Sequence, residues 1–466
     1  MIRIATSELD RFELRTRLPF KYGIATMTEL PHVFLRVTAE IDGHVQTGIA
    51  ADHLPPKWFT KDPTRNPVEE IDEMVRVIRQ AMRLAEGLAG PSVFALWREL
   101  QARQSAWAAA GKIPPLLAQF GTSLIERAVL DAFARRRVIP LHRLLRDDAL
   151  GLELGALHPE LAGTRPRDWL SAAPLAKVIA RHTVGLADPL TEADISPADR
   201  LADGLPQSLE DCVRVYGLKH FKIKITGRRD ADFGRLEKLA ALLARHAPAD
   251  YAFSLDGNEC FSSLASFREF WREAVQRPTL ADFARHLLFV EQPLHRDVAL
   301  HANVGVDATA WPDRPPIIID ESDAELDSLS RALELGYAGT SHKNCKGVFK
   351  GIANACRIAQ LRRAQPETRF IMSGEDLANI GPVALLQDLA VQAALGIASV
   401  ERNGHHYFAG LSFWPSDLQA AMLAHHGDLY TRSEKGWPRI AINVGELALG
   451  SVNAAPFGVG LLPFTP

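Results

Sequence analysis

HFKIKI, residues 220–225, is the first of five short strand-like segments with charged residues at or next to the end, here Lys222 and Lys224. The other four are YAFSLD, LLFVE, PIIID and GTSHK, which end at Asp256, Glu291, Asp320 and Lys343. Most of these segments recur at intervals of roughly 30 residues, which is the length of one strand, loop, helix and return loop. This order predicts a parallel barrel in which the charged residues meet at the carboxyl-terminal ends of the strands.

The same alternation of strands and helices extends beyond these five segments. KVIARHTVG, residues 177–185, precedes them, and ETRFIMSG and ALGIASVER follow, which brings the number of strands close to eight. We therefore predict an α/β chain whose residues 176–428 form a modified TIM barrel of the (β/α)7β type. A doubly wound open sheet fits the same alternation and is the alternative.

The remaining segments predict a second, α+β domain over residues 1–145. Its first 60 residues alternate apolar and polar side chains in two runs, with Asp42-Gly43 as a hairpin turn and residues 20–28 as a loop. Helices are predicted over 67–87, 92–107 and 122–137, the last with Thr122 as its N-cap. We interpret residues 146–175 as a connector and 429–466 as a C-terminal segment that returns to the first domain.

Composition and charge exclude several classes of protein. A chain of 466 residues is too long for one hydrophobic core, so two domains are expected. Its formal charge of −3 argues against a nucleic-acid-binding protein. The four cysteines form no CxxC pair, which argues against a zinc site or a disulfide framework. Residues 1–20 carry charges throughout and contain no apolar run, so no signal peptide is expected. The most apolar stretch, 382–400, is interrupted by polar residues, so no membrane span is expected there. These features predict a cytoplasmic protein without a membrane or nucleic-acid partner.

Three consecutive predicted strands end in carboxylates, at Asp256, Glu291 and Asp320. On neighbouring strands the three negative charges would repel each other unless a cation neutralised them. Oxygen ligands from separate strands favour a hard, octahedral ion, so the expected metal is Mg²⁺ rather than zinc, with Mn²⁺ as a substitute. The alternative is that each acid caps the following helix or pairs with a surface base.

The lysines form the second half of the predicted site. Lys222 and Lys224 are two residues apart in a strand and so face the same side, while Lys343 comes from a strand across the barrel. Burial and like charge would lower the pKa of such a lysine toward roughly 7–8, as a general base requires. Lys224 and Lys343 could then remove a proton on one face of a carbon and return it on the other. The simpler alternative is that each is a surface lysine.

Together, the acids and lysines predict Mg²⁺-dependent abstraction of the proton α to a carboxylate. The enediolate that results is unstable unless a metal ion and nearby ammonium groups hold it. The expected substrate is therefore a small-molecule carboxylate.

The motifs FKIKI, SLDGNE, VEQPL and IIIDES, with the segment around Lys343, resemble the enolase superfamily, in particular its muconate lactonizing enzyme-like and mandelate racemase-like members. PFKYGIA and SLIERAVLDA resemble the capping domain of that superfamily, so the resemblance covers nearly the whole chain. It implies a homo-oligomer in which the three acids bind Mg²⁺, Lys224 and Lys343 are opposed bases, and Lys222 assists.

The resemblance also implies residues around the metal and the substrate. Capping segments at residues 20–28 and 50–53 would close the pocket, with Tyr22 and Thr26 on the first of them. The residues expected beside the ligands or the substrate are Asn258, Glu321, Glu375 and His405. Asp376 is expected to line the pocket or to cap a helix that enters at Leu377.

The bases decide the subgroup. Mandelate racemase-like members use a histidine paired with an aspartate, whereas this chain has Lys343 and reads IMSGEDLAN at residues 371–379. Two lysines fit the lactonizing-enzyme-like group of racemases, dipeptide epimerases, succinylbenzoate synthases and cycloisomerases. ERNGHHYF, residues 401–408, stands where dipeptide epimerases have an acidic pair. Its Glu401, His405 and His406 could hydrogen-bond the far end of a substrate, or His405 could act as an acid toward a leaving group. The alternative is a solvated loop with a local charge network.

We predict a racemase or epimerase. The alternatives are β-elimination, as in an acid-sugar dehydratase or succinylbenzoate synthase, and cycloisomerisation. A catalytically silent barrel that only binds ligands is the alternative outside the enzymes.

Overall fold

A computed structural model describes residues 1–463. It contains a four-stranded antiparallel sheet near the N-terminus and a larger sheet that closes on itself. The strands are β1 Ile2–Tyr22, β2 Ala25–Ile41, β3 His44–His53, β4 Ala89–Gly90, β5 Lys177–Val184, β6 His220–Lys224, β7 Ala252–Asp256, β8 Leu287–Glu291, β9 Ile317–Ile319, β10 Gly339–His342, β11 Ile371–Gly374, β12 Ser399–Arg402, β13 Tyr430–Arg432, β14 Pro438–Ile440 and β15 Glu446–Ala448.

Helices cover both sheets. In chain order they are α1 Pro67–Ala85, α2 Val93–Ala110, α3 Pro115–Arg137, α4 Leu141–Arg146, α5 Pro166–Trp169, α6 Leu209–Tyr216, α7 Arg229–His246, α8 Leu264–Gln276, α9 Pro278–Phe283, α10 Arg296–Ala299, α11 Ala302–Thr309, α12 Ser328–Glu334, α13 Val348–Ala364, α14 Ala384–Ala394, α15 Gly404–Tyr407, α16 Ser416–His425 and α17 Gly450–Ala454. No helix within residues 1–463 is both long and apolar enough to cross a membrane.

The barrel consists of β5 to β12, each strand parallel to the next in the chain. The first and last strands pair in parallel, with His182 of β5 opposite Arg402 of β12, so the sheet is closed. Closure confirms the predicted barrel and excludes the doubly wound alternative. The strands are almost entirely buried because side chains fill the inside and helices cover the outside.

The N-terminal sheet has the strand order β3-β2-β1-β4, and α3 packs along β2 and β3. Asp42 and Gly43 form the predicted turn between β2 and β3, and both have positive φ, as a tight hairpin turn requires. The predicted loop at residues 20–28 is wrong. β1 and β2 stay paired out to Tyr22 opposite Ala25, so that only Gly23 and Ile24 form the turn.

Two further predictions for this domain need correction. α3 begins at Pro115, not at a cap on Thr122, because Pro115 suits the first helical turn and the buried residues that follow it extend the packed helix. Thr122 is instead buried in the middle of α3. The segment at residues 50–53 is the end of β3, where pairing with β2 continues to His53 opposite His32.

The C-terminal segment packs on the barrel more than on the first domain. β15 pairs antiparallel with β5, and α17 packs against α14. Arg135 of α3 donates hydrogen bonds to the carbonyl oxygens of Val459 and Leu461, which is a contact back to the first domain. The last three residues of the predicted segment, 464–466, lie outside the described residues.

Buried polar contacts hold the first domain over the barrel. Glu126 of α3 accepts hydrogen bonds from the backbone N–H groups of Val348 and Phe349, at the start of α13. Gln387 of α14 donates to the carbonyl oxygen of Ile49 at 2.7 Å. A carboxyl group at a helix N-terminus and a buried side-chain amide both form directional hydrogen bonds. These contacts therefore orient the first domain relative to the barrel.

Candidate active site

The register of the barrel strands brings the predicted residues to one level. Lys224 of β6 lies opposite Asp256 of β7, which lies opposite Glu291 of β8. Asp320 follows β9 directly, and Lys343 follows β10. All five side chains are buried at the carboxyl-terminal ends of the strands. The structure therefore brings the predicted acids and lysines to the same end of the barrel.

Each of the two predicted bases pairs with one of the predicted metal ligands. Lys224 Nζ lies 2.6 Å from Asp256 Oδ2, and Lys343 Nζ lies 2.7 Å from Asp320 Oδ2. β6 and β10 are the second and sixth of the eight strands, so the two lysines approach from opposite sides of the barrel.

Lys222 is surrounded by carboxylates. Its Nζ lies 2.8 Å from Glu375, 2.9 Å from Glu291, 3.0 Å from Glu401 and 3.1 Å from Asp256. Burial alone would lower its pKa, but these four acids raise the pKa of Lys222 well above its usual value. Lys222 is therefore held as an ammonium group and is suited to electrostatic stabilisation rather than to proton abstraction.

The predicted lowering of the base pKa does not hold for Lys343 in this structure. Burial lowers the pKa of Lys343, but the adjacent Asp320 carboxylate outweighs burial and raises the pKa above its usual value. Like charge between lysines would lower their pKa values, but Lys222, Lys224 and Lys343 each have a carboxylate partner, which residues far apart in the sequence do not reveal.

Trp58 of the capping domain covers one candidate base. Lys343 Nζ lies 4.4 Å from the centroid of the indole ring, which is a cation–π contact. No sequence pattern indicated Trp58, since it lies in an irregular segment after β3 and reaches the barrel only through domain packing. Lys346 was also missed, and its Nζ lies 3.2 Å from Asp320 Oδ1. The position of Lys346 three residues after Lys343 could have indicated that it reaches the same carboxylate.

A small cavity of about 40 Å³ lies between the capping domain and these groups. It is lined by Phe20, Tyr22, Met27, Pro55, Trp58, Lys222, Lys224, Asp256, Asn258, Lys343, Asp376, Leu377, Ala378, Glu401 and Asn403. Both predicted bases thus face one space. The free volume among these side chains corresponds to a few water molecules.

The cavity includes some predicted substrate-binding residues and leaves out others. Tyr22 and Asn258 line it, whereas Thr26 is exposed. The reason is strand alternation, since Met27 faces the cavity and its neighbour Thr26 faces the other side of β2. Residues 50–53, which were predicted to close the pocket, do not line the cavity. Pro55 and Trp58, which follow them in the chain, line it instead.

The other predicted residues around the ligands lie in different environments. Glu375 is buried behind the cavity, where it contacts Lys222 and Arg181. Glu321 is buried beside Asp320, and burial together with the Asp320 charge raises the pKa of Glu321 to about 7. Neither side chain lines the cavity.

His405 and Asp376 differ from their predicted roles. His405 is buried against His182, with 3.0 Å between His405 Nε2 and His182 Nδ1, and it does not line the cavity. It is therefore neither an acid at this site nor part of a solvated loop. Asp376 lines the cavity but caps no helix at Leu377, since its carboxylate accepts from Ala378 N in a turn and from Arg402.

A larger cleft lies elsewhere in the molecule. It has a volume of about 860 Å³ and is bounded by β1, by the segment between β5 and α6, and by α7. None of the predicted site residues lines it. The convergence of buried charge, rather than cleft size, therefore identifies the candidate active site.

The donor set fits a hard divalent ion. The three predicted ligands are buried carboxylates from consecutive strands, and Oε2 of Glu321 and Oδ1 of Asn258 beside them are buried without hydrogen-bond partners. Within residues 1–463 the oxygen atoms of the three predicted ligands do not all lie within 4.8 Å of one another. Lys222 contacts two of these acids, Asp256 and Glu291, and Asp320 contacts Lys343 and Lys346. Binding of an ion therefore requires these ammonium groups, above all Lys222, to shift.

Solved structures with this fold span the whole chain. A dipeptide epimerase from Enterococcus faecalis, complexed with Mg and the dipeptide L-Leu-L-Tyr, is 16% identical, with a TM-score of 0.61 and coverage of 98% of this chain and 99% of that chain. A muconate lactonizing enzyme from Pseudomonas fluorescens, complexed with muconolactone, is 17% identical, with a TM-score of 0.60 and coverage of 99% and 97%.

A mandelate racemase/muconate lactonizing protein from Herpetosiphon aurantiacus is 16% identical, with a TM-score of 0.60 and coverage of 97% of both chains. No protein-family model and no curated protein sequence matches the chain. The chain has the fold of mandelate racemase/muconate lactonizing enzyme-like members of the enolase superfamily, a barrel with an N-terminal capping domain, as its motifs predicted.

Proposed function

We propose that this protein is an isomerase or lyase that abstracts the proton α to the carboxylate of a small molecule in the presence of Mg²⁺. The observation that carries this proposal is the placement of Lys224 and Lys343 on opposite strands, around one cavity that both line. A carbon between two such amines can lose a proton to one and regain a proton from the other. Racemisation or epimerisation is the outcome that this symmetry favours.

Asp256, Glu291 and Asp320 would hold the metal ion, with Mn²⁺ as a possible replacement for Mg²⁺. When bound, the ion supplies positive charge that makes the α-proton more acidic and stabilises the enediolate. Lys222 adds an ammonium group that neighbouring carboxylates keep charged. Lys224 and Lys343 exchange protons with the substrate once their amines leave Asp256 and Asp320.

The capping domain would exclude water from the reaction. Phe20, Tyr22, Met27 and Trp58 close the cavity with mostly apolar surface, which strengthens every electrostatic interaction inside it. The relatives of this fold named above bind a dipeptide or muconolactone, so a small carboxylate is the substrate class that we propose.

Proton exchange in D₂O tests the proposal. Purified protein with Mg²⁺ is incubated with the separate enantiomers of amino acids, dipeptides, acylamino acids and sugar acids, and deuterium at the α-carbon is measured by NMR. We expect Lys224→Ala to slow the exchange rate of one enantiomer and Lys343→Ala to slow that of the other. The expected decrease in rate is roughly 10²–10⁴-fold in each case.

Lys350→Ala is the matched control, since Lys350 is also buried and paired with a carboxylate, 2.7 Å from Asp323, but does not line the cavity. It should retain exchange with both enantiomers. Exchange that survives both active-site substitutions, or that persists after removal of divalent metal, contradicts the proposal. Water release coupled to deuterium loss would indicate β-elimination instead of inversion.

A further inference from the structure

A second group of potential metal ligands lies away from the candidate active site. It consists of His182 on β5, Cys212 on α6 and His406 on α15. One ligand atom from each residue lies within 4.8 Å of the others, and all three side chains are buried. Among residues 1–463, these three side chains form the one group of at least three histidine, cysteine, aspartate or glutamate residues whose ligand atoms lie this close together.

The spacing agrees with tetrahedral coordination. Cys212 Sγ lies 3.6 Å from His406 Nδ1. With Zn–S of about 2.3 Å and Zn–N of about 2.0–2.1 Å, a tetrahedral site separates sulfur and nitrogen by about 3.5 Å. The separation of these two atoms is therefore close to the one that a shared zinc ion would impose.

His405 provides the hydrogen-bond partner that a metal-bound histidine needs. His182 Nδ1 lies 3.0 Å from His405 Nε2, which leaves His182 Nε2 as the ligand atom. A ligating histidine usually donates its second N–H to a neighbouring acceptor, and this bond fixes the ring orientation. His405 Nδ1 is itself buried without a hydrogen-bond partner.

We propose that His182, Cys212 and His406 bind one zinc ion, with His405 orienting His182 and the fourth position taken by a small ligand such as water. Sulfur and imidazole together favour zinc over magnesium, so the site would be chemically distinct from the carboxylate site. The sequence argued against zinc because the cysteines form no CxxC pair, but these ligands come from three distant segments that only the fold brings together.

The position of the site gives it a structural role. His182 lies opposite Arg402 where β5 and β12 close the barrel, and His406 follows β12 by one short turn. A metal ion there would link the first barrel strand, β5, to α6 and to α15, which follows the last barrel strand.

Metal analysis and cobalt substitution test the proposal with the full-length protein. Protein grown with zinc and purified without chelators should retain about one equivalent of zinc that excess Mg²⁺ does not displace. After removal of zinc by a soft-metal chelator, titration with Co²⁺ in excess Mg²⁺ should give a thiolate-to-cobalt charge-transfer band, which the carboxylate site cannot produce because it contains no sulfur. Chelation should also lower the melting temperature.

Cys212→Ser should abolish the cobalt band, and Cys356→Ser, a matched change at another buried cysteine, should retain it. Absence of both bound zinc and the cobalt band in the unmodified protein overturns the proposal, and this result does not depend on whether any variant folds. A band that survives Cys212→Ser also overturns it, because the sulfur would then come from another cysteine.

Discussion

Lys224 and Asp256 lie directly opposite each other on adjacent parallel strands, with 2.6 Å between Nζ and Oδ2. The same arrangement recurs across the barrel, where Lys343 pairs with Asp320 at 2.7 Å. Each candidate base is thus bound to a candidate metal ligand. A carboxylate oxygen that binds a metal ion interacts less strongly with an ammonium group. Binding of the metal ion and release of the two lysines from their carboxylate partners are therefore coupled.

Replacement of Lys222 should destabilise the protein and make it dependent on divalent metal. Lys222→Met leaves four buried carboxylates without their shared partner, which we expect to lower the free energy of unfolding by about 3–5 kcal/mol. Mg²⁺ should recover part of this loss, because the ion replaces the missing positive charge. Urea denaturation with and without Mg²⁺ measures both effects.

Lys350→Met is the control for this experiment. Lys350 is equally buried but contacts one carboxylate side chain, Asp323. Its replacement should also destabilise the protein, but without recovery by Mg²⁺. Equal responses of the two variants to Mg²⁺ would contradict the assignment of the metal site.

Mg²⁺ should stabilise the unmodified protein through the predicted ligands. An ion that binds only the folded state adds about 2.7 kcal/mol at 100 times its dissociation constant, so the melting temperature should rise with Mg²⁺ concentration. Asp320→Asn should abolish this rise, whereas Asp323→Asn, three residues away and outside the ligand set, should retain it. Calorimetric melting of the three proteins over a Mg²⁺ series is the measurement. A rise that persists in Asp320→Asn would remove Asp320 from the ligands.

Trp58 should position Lys343 through the cation–π contact at 4.4 Å. Trp58→Leu keeps an apolar side chain but loses the ring, and such a contact is worth about 0.5–2 kcal/mol, or up to about 30-fold in rate. We expect proton exchange at the Lys343 face to slow within that range while exchange at the Lys224 face changes less. Exchange rates for the two enantiomers provide this comparison.

Trp107→Leu is a matched change, because Trp107 also contacts a cation, Arg76, but lies in the capping domain away from the cavity. It should leave both exchange rates unchanged. Equal slowing at both faces in Trp58→Leu would indicate a general effect on closure of the cavity rather than positioning of Lys343.

Glu126 should make the stability of the protein depend on pH between about 4.5 and 7. Burial raises the pKa of Glu126 to about 7, although the N–H groups of Val348 and Phe349 and the charge of Arg127 lower it in part. The folded state therefore holds the proton more tightly than the unfolded chain, and stability falls as pH rises through this window. The loss is on the order of 3 kcal/mol when complete.

Glu126→Gln removes the titrating group and keeps an acceptor for the N-terminus of α13. The difference in unfolding free energy between the two proteins, measured by urea denaturation from pH 4.5 to 7.5, should shift in favour of the variant as pH rises. A difference that stays constant over this range would show that Glu126 does not titrate there.

The sequence alone determined the barrel and the identity of its charged residues. Strands such as HFKIK and LLFVE are short, apolar and regularly spaced. A charged residue at the end of such a strand is expected to lie at the carboxyl-terminal mouth of a barrel. Local pattern failed at the edges of elements, as at Thr122, where tertiary packing extended the helix. It also failed at Thr26, since the loop prediction ignored the strand alternation that turns this residue outward.

Only the tertiary structure decided which charges pair and which residues share a space. The four carboxylates around Lys222 come from four different strand ends, and Trp58 reaches Lys343 from another domain. His182, Cys212 and His406 likewise meet only because the first and last strands close the barrel. Distances between residues far apart in the chain are fixed by strand register and domain packing, and neither of these is encoded in a local stretch of sequence.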